Sequence, residues 1–172
     1  MRFAAPKVLM TCLLLSSPVS AQHWLDYINL EYRFSISFPG EPIARGLSYS
    51  SANGTTALGR NFLVEADTGT YAVTVAEFSS DLPDVDAEFA HVAGPLRESR
   101  EVRYEGRTDY DDIPVYELNM VLPNGRQNMV TILYHDRYLY IVESEVSAEE
   151  APPLHFQQSI TLLDADGNPL LL

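Results

Sequence analysis

The stretch from Ile113 to Val146, IPVYELNMVLPNGRQNMVTILYHDRYLYIVESEV, constrains the fold more than any other part of the chain. It reads as three antiparallel strands in a row. Tyr116, Leu118, Met120 and Leu122 alternate with Val115, Glu117, Asn119 and Val121, the period-2 pattern of a strand with one buried face. Pro123-Asn124-Gly125 closes that strand, and Asn-Gly suits a tight hairpin because both positions tolerate positive φ. Arg126 to Tyr134 follows, and His135-Asp136-Arg137 turns the chain into Tyr138 to Val146. The last two strands are apolar on both faces: Val130, Ile132 and Tyr134 against Met129 and Leu133, then Tyr138, Tyr140 and Val142 against Leu139 and Ile141. A sheet apolar on both faces needs cover on both sides.

A second meander precedes this one. Tyr32, Phe34, Ile36 and Phe38 share one face of a short strand that Pro39-Gly40-Glu41-Pro42 ends, because proline donates no ladder bond. Ile43 to Ser50 and Thr55 to Glu65 read as a hairpin about Asn53-Gly54. After Asp67-Thr68-Gly69, Thr70 to Phe78 returns with Tyr71, Val73 and Val75 on one face.

A helix is predicted from Asp84 to about Ser99. Val85, Phe89, Val92 and Leu96 form a single apolar stripe, and Asp81 or Asp84 can cap its start. Asp86 and Glu88 near the start and Arg97 and Arg100 near the end suit the helix dipole. Pro95 removes a donor, which predicts a kink or break there. Glu101 to Asp109 reads as a strand with Arg103, Glu105, Arg107 and Asp109 on one face. Ser147 to Glu150 has capping-box spacing, predicting a short helix to about Gln158 and a last strand over 159–163. Residues 164–172 read as a tail.

Residues 1–21 are set apart from the fold. Arg2 and Lys7 precede the apolar run Val8 to Leu15, too short to cross a bilayer as a helix, and Val19-Ser20-Ala21 supplies small residues. This is a secretory signal pattern, with cleavage expected between Ala21 and Gln22. The single cysteine, Cys12, lies inside it. Cleavage would remove two of the 11 basic residues and none of the 24 acidic ones, so the formal charge of −13 becomes more negative still. Such a field opposes binding to nucleic acid or anionic lipid, which rely on Lys and Arg to neutralise phosphate, and it favours a soluble monomer. No later stretch is long and apolar enough for a membrane span. The expected location is the periplasm or the outside of a bacterial cell.

The order of features resembles the PsbP-like superfamily, known for an extrinsic subunit of photosystem II and a small Ran-GTPase-binding protein. The matching residues are Trp24, the run Phe34-Ser35-Ile36-Ser37-Phe38-Pro39-Gly40-Glu41-Pro42, and Tyr71-Ala72-Val73-Thr74-Val75. The acidic-start helix, Arg137-Tyr138-Leu139-Tyr140 and Phe156-Gln157-Gln158-Ser159-Ile160 complete the match. The resemblance implies an antiparallel sheet between helical layers and a non-catalytic binding or assembly role. It implies no photosynthetic role, since no photosystem-docking or metal-binding residue is matched.

Reactive chemistry is sparse. His23, His91, His135 and His155 form no ligand pair at metal-site spacing, and there is no Gly-x-Ser-x-Gly elbow. Asp164-Ala165-Asp166-Gly167-Asn168 fails as a calcium loop, because its glycine is in the fourth place and no twelfth-place glutamate follows. Asn53-Gly54-Thr55 fits a glycosylation sequon but falls in a hairpin turn. Asp109, Asp111 and Asp112 put three carboxylates in four residues, a weak calcium candidate with Glu105 as a further oxygen donor. Arg97, Arg100, Arg103 and Arg107 read either as a basic patch for an acidic partner or as solvated charges balanced by Glu98, Glu101 and Glu105. Ten tyrosines read either as sheet packing or as the lining of a ligand groove.

The sequence therefore predicts one α+β domain over 22–163, a mostly antiparallel sheet of six to eight strands with helices on both faces, an α/β/α sandwich. The expected function is an exported, non-catalytic, acidic binding or scaffold module with an envelope protein partner and no cofactor. The alternatives are a small-ligand binder with a tyrosine-lined cleft, and a hydrolase whose site is assembled from distant residues.

Overall fold

The computed structural model describes residues 24–170. The signal-like segment, Cys12, His23 and the last two leucines lie outside them. The described elements are β1 (Leu25–Asn29), β2 (Phe34–Phe38), β3 (Ile43–Ser50), β4 (Thr56–Ala66), β5 (Gly69–Glu77), α1 (Val85–Ser99), β6 (Glu101–Tyr110), β7 (Ile113–Val121), β8 (Gln127–His135), β9 (Tyr138–Val146), α2 (Leu154–Gln158) and β10 (Thr161–Leu162).

Among the described residues, β3 to β9 form one seven-stranded antiparallel sheet, in the order β3-β4-β5-β9-β8-β7-β6. The two meanders join where β5 meets β9, which sets Val73 opposite Val142 and Val75 opposite Tyr140. Period-2 alternation then sends side chains to two separate cores. One face gathers Phe62, Tyr71, Val73, Val75, Tyr138, Tyr140 and Val142. The other gathers Ala76, Leu118, Met120, Val130, Ile132 and Leu139 against Phe89 and Ala93 of α1.

The covers of these two faces differ from the expected pair of helices. α1 lies on one face. The other is covered chiefly by a second sheet, in the order β1-β2-β10, with the five-residue α2 beside it. The cause is the strand Phe34–Phe38, whose Phe34, Ile36 and Phe38 are all buried. It pairs with β1 and β10 on its two edges, and its aromatic face lies down on the main sheet. Phe34 meets Phe62 edge-on at 5.3 Å and Tyr140 at 6.3 Å. Offset and edge-on ring pairs of this kind add about 1 kcal/mol each beyond the area they bury. The molecule is thus mostly β.

α1 follows its predicted span, with the Asp84 carboxylate accepting from the Ala87 amide at 2.9 Å. It runs unbroken through Pro95. Pro95 and His91 are both exposed, so the carbonyl that loses its donor faces water. β6 departs from simple alternation. A bulge between Val102 and Tyr104 leaves Arg103 without an opposite residue, so Arg103 does not share a face with Glu105, Arg107 and Asp109.

The hairpins are set by left-handed residues. Asp111 and Asp112 have φ of 45° and 67°, and Asp136 and Arg137 have 44° and 70°. Both pairs make two-residue turns whose twist matches the strands they join. The Asn-Gly hairpin is not of this kind. Of its residues only Gly125 takes positive φ, and Leu122 bonds Arg126 across a three-residue loop. Residues 164–170, read as a tail, turn back on themselves. The Leu170 amide donates to the Leu162 carbonyl at 2.8 Å, and Leu170 packs on the first core.

Candidate binding cleft

The second sheet is narrower than the first. It covers β4, β5 and β9, α2 reaches β8, and Ile113 and Val115 of β7 are buried in the same core, but Glu117 of β7 is only half-buried and Tyr104 and Tyr110 of β6 are exposed. A cleft of about 530 Å³ results. Its floor is Val115 and Glu117 of β7 with Met129, Thr131 and Leu133 of β8. Leu154, Gln157 and Gln158 of α2, then Ile160, Thr161, Pro169 and Leu170, form the wall, and Tyr110 stands at the rim.

Gln157 fixes that wall. It is 6% exposed, and its amide spends every group on the protein. Its Nε2 donates to the Met129 carbonyl at 3.0 Å and to Ser144 Oγ at 2.9 Å, and its Oε1 accepts from Thr131 Oγ1 at 2.8 Å. A fully satisfied buried amide of this kind specifies one position for the short helix.

Glu117 is the one charged side chain among the cleft-lining residues. It is half-buried, and among the described residues it has neither a hydrogen bond nor an ion pair. Its neighbours across the strands are Gly106 on β6 and Thr131 on β8. Gly106 has no side chain to shield it. The Tyr104 ring bends over that glycine, occupying the place a Cβ would take.

The residues singled out from the sequence lie elsewhere. Asp111 and Asp112 are the two central residues of the β6–β7 turn, and the Asp109 carboxylate accepts from Arg107 Nη1 at 2.8 Å. Glu105 is engaged by Arg97. Among the described residues no group of three or more His, Cys, Asp or Glu side chains is placed to hold a metal ion. The four arginines each meet a carboxylate of this chain. Arg97 pairs with Glu105 and bonds the Tyr116 hydroxyl. Arg100 Nη1 reaches Asn128 Oδ1 at 2.6 Å and Glu143 at 3.2 Å. Arg103 meets Glu101 at 3.1 Å. Arg107 meets Asp86 at 2.9 Å, with its guanidinium 5.8 Å from the Phe89 ring centre. Arg97, Arg100 and Arg107 bind α1 and the sheet to each other, whereas Arg103 pairs within β6.

The tyrosines answer to packing. Tyr32, Tyr71, Tyr134, Tyr138 and Tyr140 are buried, and only Tyr110 lines the cleft, so the cleft is not tyrosine-lined. His91 Nε2 lies 2.9 Å from the Ser50 carbonyl, and the His155 ring stands edge-on to Trp24 at 4.7 Å.

A second polar site lies under α1. Glu88 is 1% exposed. Its carboxylate accepts from the Tyr49 hydroxyl at 2.5 Å, Ser51 Oγ at 2.7 Å and the Ala52 amide at 3.1 Å. Burial, with the bond to Glu88 and its charge, pushes the Tyr49 phenol far above its ordinary value. All of these acceptors and donors face one another, which makes the site a clasp between α1 and the β3–β4 turn.

From the sequence, Glu117 is one of the mixed residues of β7 and Glu88 suits the helix dipole. The signal for the first was present. The face that runs Val115, Glu117, Asn119, Val121 is polar in its middle, which a strand covered along its whole length would not carry.

No family model matches the sequence, and no curated protein matches it. Among solved structures, one match is the solution structure of cyanobacterial PsbP (CyanoP) from Synechocystis sp. PCC 6803. The TM-score is 0.55 at 13% sequence identity, over 87% of this chain and 98% of that one. The chain has a PsbP-like fold. In this PsbP-like fold Trp24, Phe34, Ile36, Phe38 and Phe156, which carry part of the sequence resemblance, all belong to one core, the one under the second sheet. The identity is low enough that the likeness extends to the fold alone.

Proposed function

We propose that this protein is a non-catalytic binding module of the bacterial cell envelope, and that its working surface is the cleft over β7 and β8. The cleft itself carries this reading: a concave, largely apolar surface with a few convergent polar groups, on a rigid sheet. Its lining offers no histidine, cysteine, lysine or arginine, and the Thr131 hydroxyl, opposite Glu117, donates to Gln157 Oε1. The PsbP-like fold supports a binding role, and the signal-like residues 1–21 support export. The acidic balance supports a partner or ligand that is neutral or positive.

The test is an amide-resolved NMR titration of the 22–172 chain with a fragment mixture and with envelope extract. Shifts are expected to cluster at 110–117, 129–133 and 154–161. Shifts confined to the α1 face, or turnover of any added ester, amide or glycoside, would displace the cleft as the working surface.

A further inference from the structure

We propose that the cleft takes an organic cation: a small molecule with an ammonium group and an apolar body. This rests on the reading of the cleft as the binding surface and names its ligand class.

The argument starts at Glu117. A carboxylate drawn from water into a half-buried apolar site is costly unless it is paired. The buried polar groups of the cleft already have partners: Gln157 and Thr131 bond each other, and Gln157 also bonds Ser144 and Met129. Glu117 is the one charged group of the lining, and it is left for a ligand. Elsewhere in the molecule, buried and half-buried carboxylates are matched from within. Glu143 has Arg100, Glu145 has Arg126, and Glu88 has three donors.

The surroundings of Glu117 suit a cation and not a metal. Two aromatic rings lie on the same face of the adjacent strand β6. They are Tyr104 and Tyr110, 50% and 47% exposed, placed either side of Gly106 and Thr108. Exposed aromatic faces beside a carboxylate recognise alkylammonium groups, the carboxylate by charge and the rings by their negative faces. A metal ion would need several oxygens, and Glu117 brings one carboxylate. From Glu117 the floor continues through Val115, Met129 and Leu133 to Leu170, a track for an apolar body. The net charge of −13 draws cations toward every face and leaves anions disfavoured.

The experiment uses hexyltrimethylammonium as probe, with 1-hexanol as the neutral control and hexanesulfonate as the anionic one. Calorimetry and amide shifts are read on wild type, Glu117→Gln and Tyr110→Ala. Glu117 makes no bond that the fold depends on, so the glutamine variant is expected to melt like wild type. The ammonium probe is expected to shift amides around 106, 117 and 131. Its affinity should exceed that of the other two and fall roughly tenfold in Glu117→Gln, a loss of one charge-assisted contact. Raising the salt should weaken it as well. If hexanol or hexanesulfonate binds the cleft as well as the cation, and Glu117→Gln changes nothing, the cation assignment is overturned while the cleft stands. If none of the three shifts a cleft amide, the cleft reading falls with it. Sedimentation showing that the cleft is closed by a second copy, with the probe excluded, would overturn the small-molecule occupant.

Discussion

Glu88 sits 1% exposed with no arginine partner among the described residues, held only by Tyr49, Ser51 and the Ala52 amide. Removing the acceptor strands three donors at once. Each buried donor left alone costs about 1–3 kcal/mol. Glu88→Ala is therefore expected to lower the unfolding free energy by about 3 kcal/mol in urea titration, whereas Ala→Gly at the exposed Ala90 should cost only about 1 kcal/mol. A Glu88→Ala loss equal to that of Ala90→Gly would mean the clasp contributes nothing. The tyrosine hydroxyls carry a pH dependence. Burial raises the ionisation of Tyr49 and Tyr140 well above the ordinary value of about 10, and at Tyr49 the Glu88 carboxylate adds to it. The unfolded chain then releases these protons first. Stability is fully present below pH ~10 and is lost as pH rises beyond it. Melting temperature measured from pH 8 to 11.5 should fall above pH ~10, and less steeply in Tyr140→Phe, which gives up one of the raised groups. A flat profile in the wild type would contradict this. These two residues also show what a sequence hides. Glu88 lies at a helix position where an acid is expected for the dipole, and nothing in its neighbours announces that Tyr49 and Ser51 come to meet it.

The hairpin at Asp111-Asp112 illustrates how one short element answers two readings. Both residues hold positive φ, a conformation that asparagine and glycine adopt more easily. The double change Asp111→Asn with Asp112→Gly should raise stability by about 1 kcal/mol, from easier turn geometry and less carboxylate repulsion. Calcium or chelator should shift the wild-type melting midpoint by no more than a degree or two; a chelator-sensitive drop, abolished in the double variant, would make the turn a metal site. The strands β2, β5, β7, β8 and β9 were legible because alternation is a local property of the chain. So was α1, through its stripe and its Asp84 cap. The pairing of β2 with β1 and β10, apart from the main sheet, was not, since periodicity tells which residues share a face and not which strand lies beside them. The bulge at Arg103 was hidden for the same reason. The cleft was hidden more deeply: it is defined by the width of the second sheet, a fact that belongs to no residue of β7 or β8.

At the scale of the molecule, the two cores differ in what holds them. The one under the second sheet is rich in aromatic contacts, and the one under α1 is closed at its rim by arginine–carboxylate pairs. High salt should therefore weaken the α1 side first, and hydrogen exchange in 1 M salt should speed up in α1 and β6 while β5 and β9 keep their protection. Uniform change across all strands would contradict this division. The export reading has its own check: intact mass of the protein from an envelope fraction should match a chain starting at Gln22, where a full-length mass would show an uncleaved segment. The main sheet ends in β3 on one side and β6 on the other. β6 carries a bulge beside the exposed pair Arg103 and Glu101, which makes it a poor template for another strand. β3 is regular along all of its eight residues and carries Ile43 exposed at 60%. A ribbon that can be lengthened at one end only, when it meets its own copy, stops growing at two. With its bulge, β6 acts as a chain terminator for the main sheet, so edge-to-edge growth of that sheet through β3 closes at a pair.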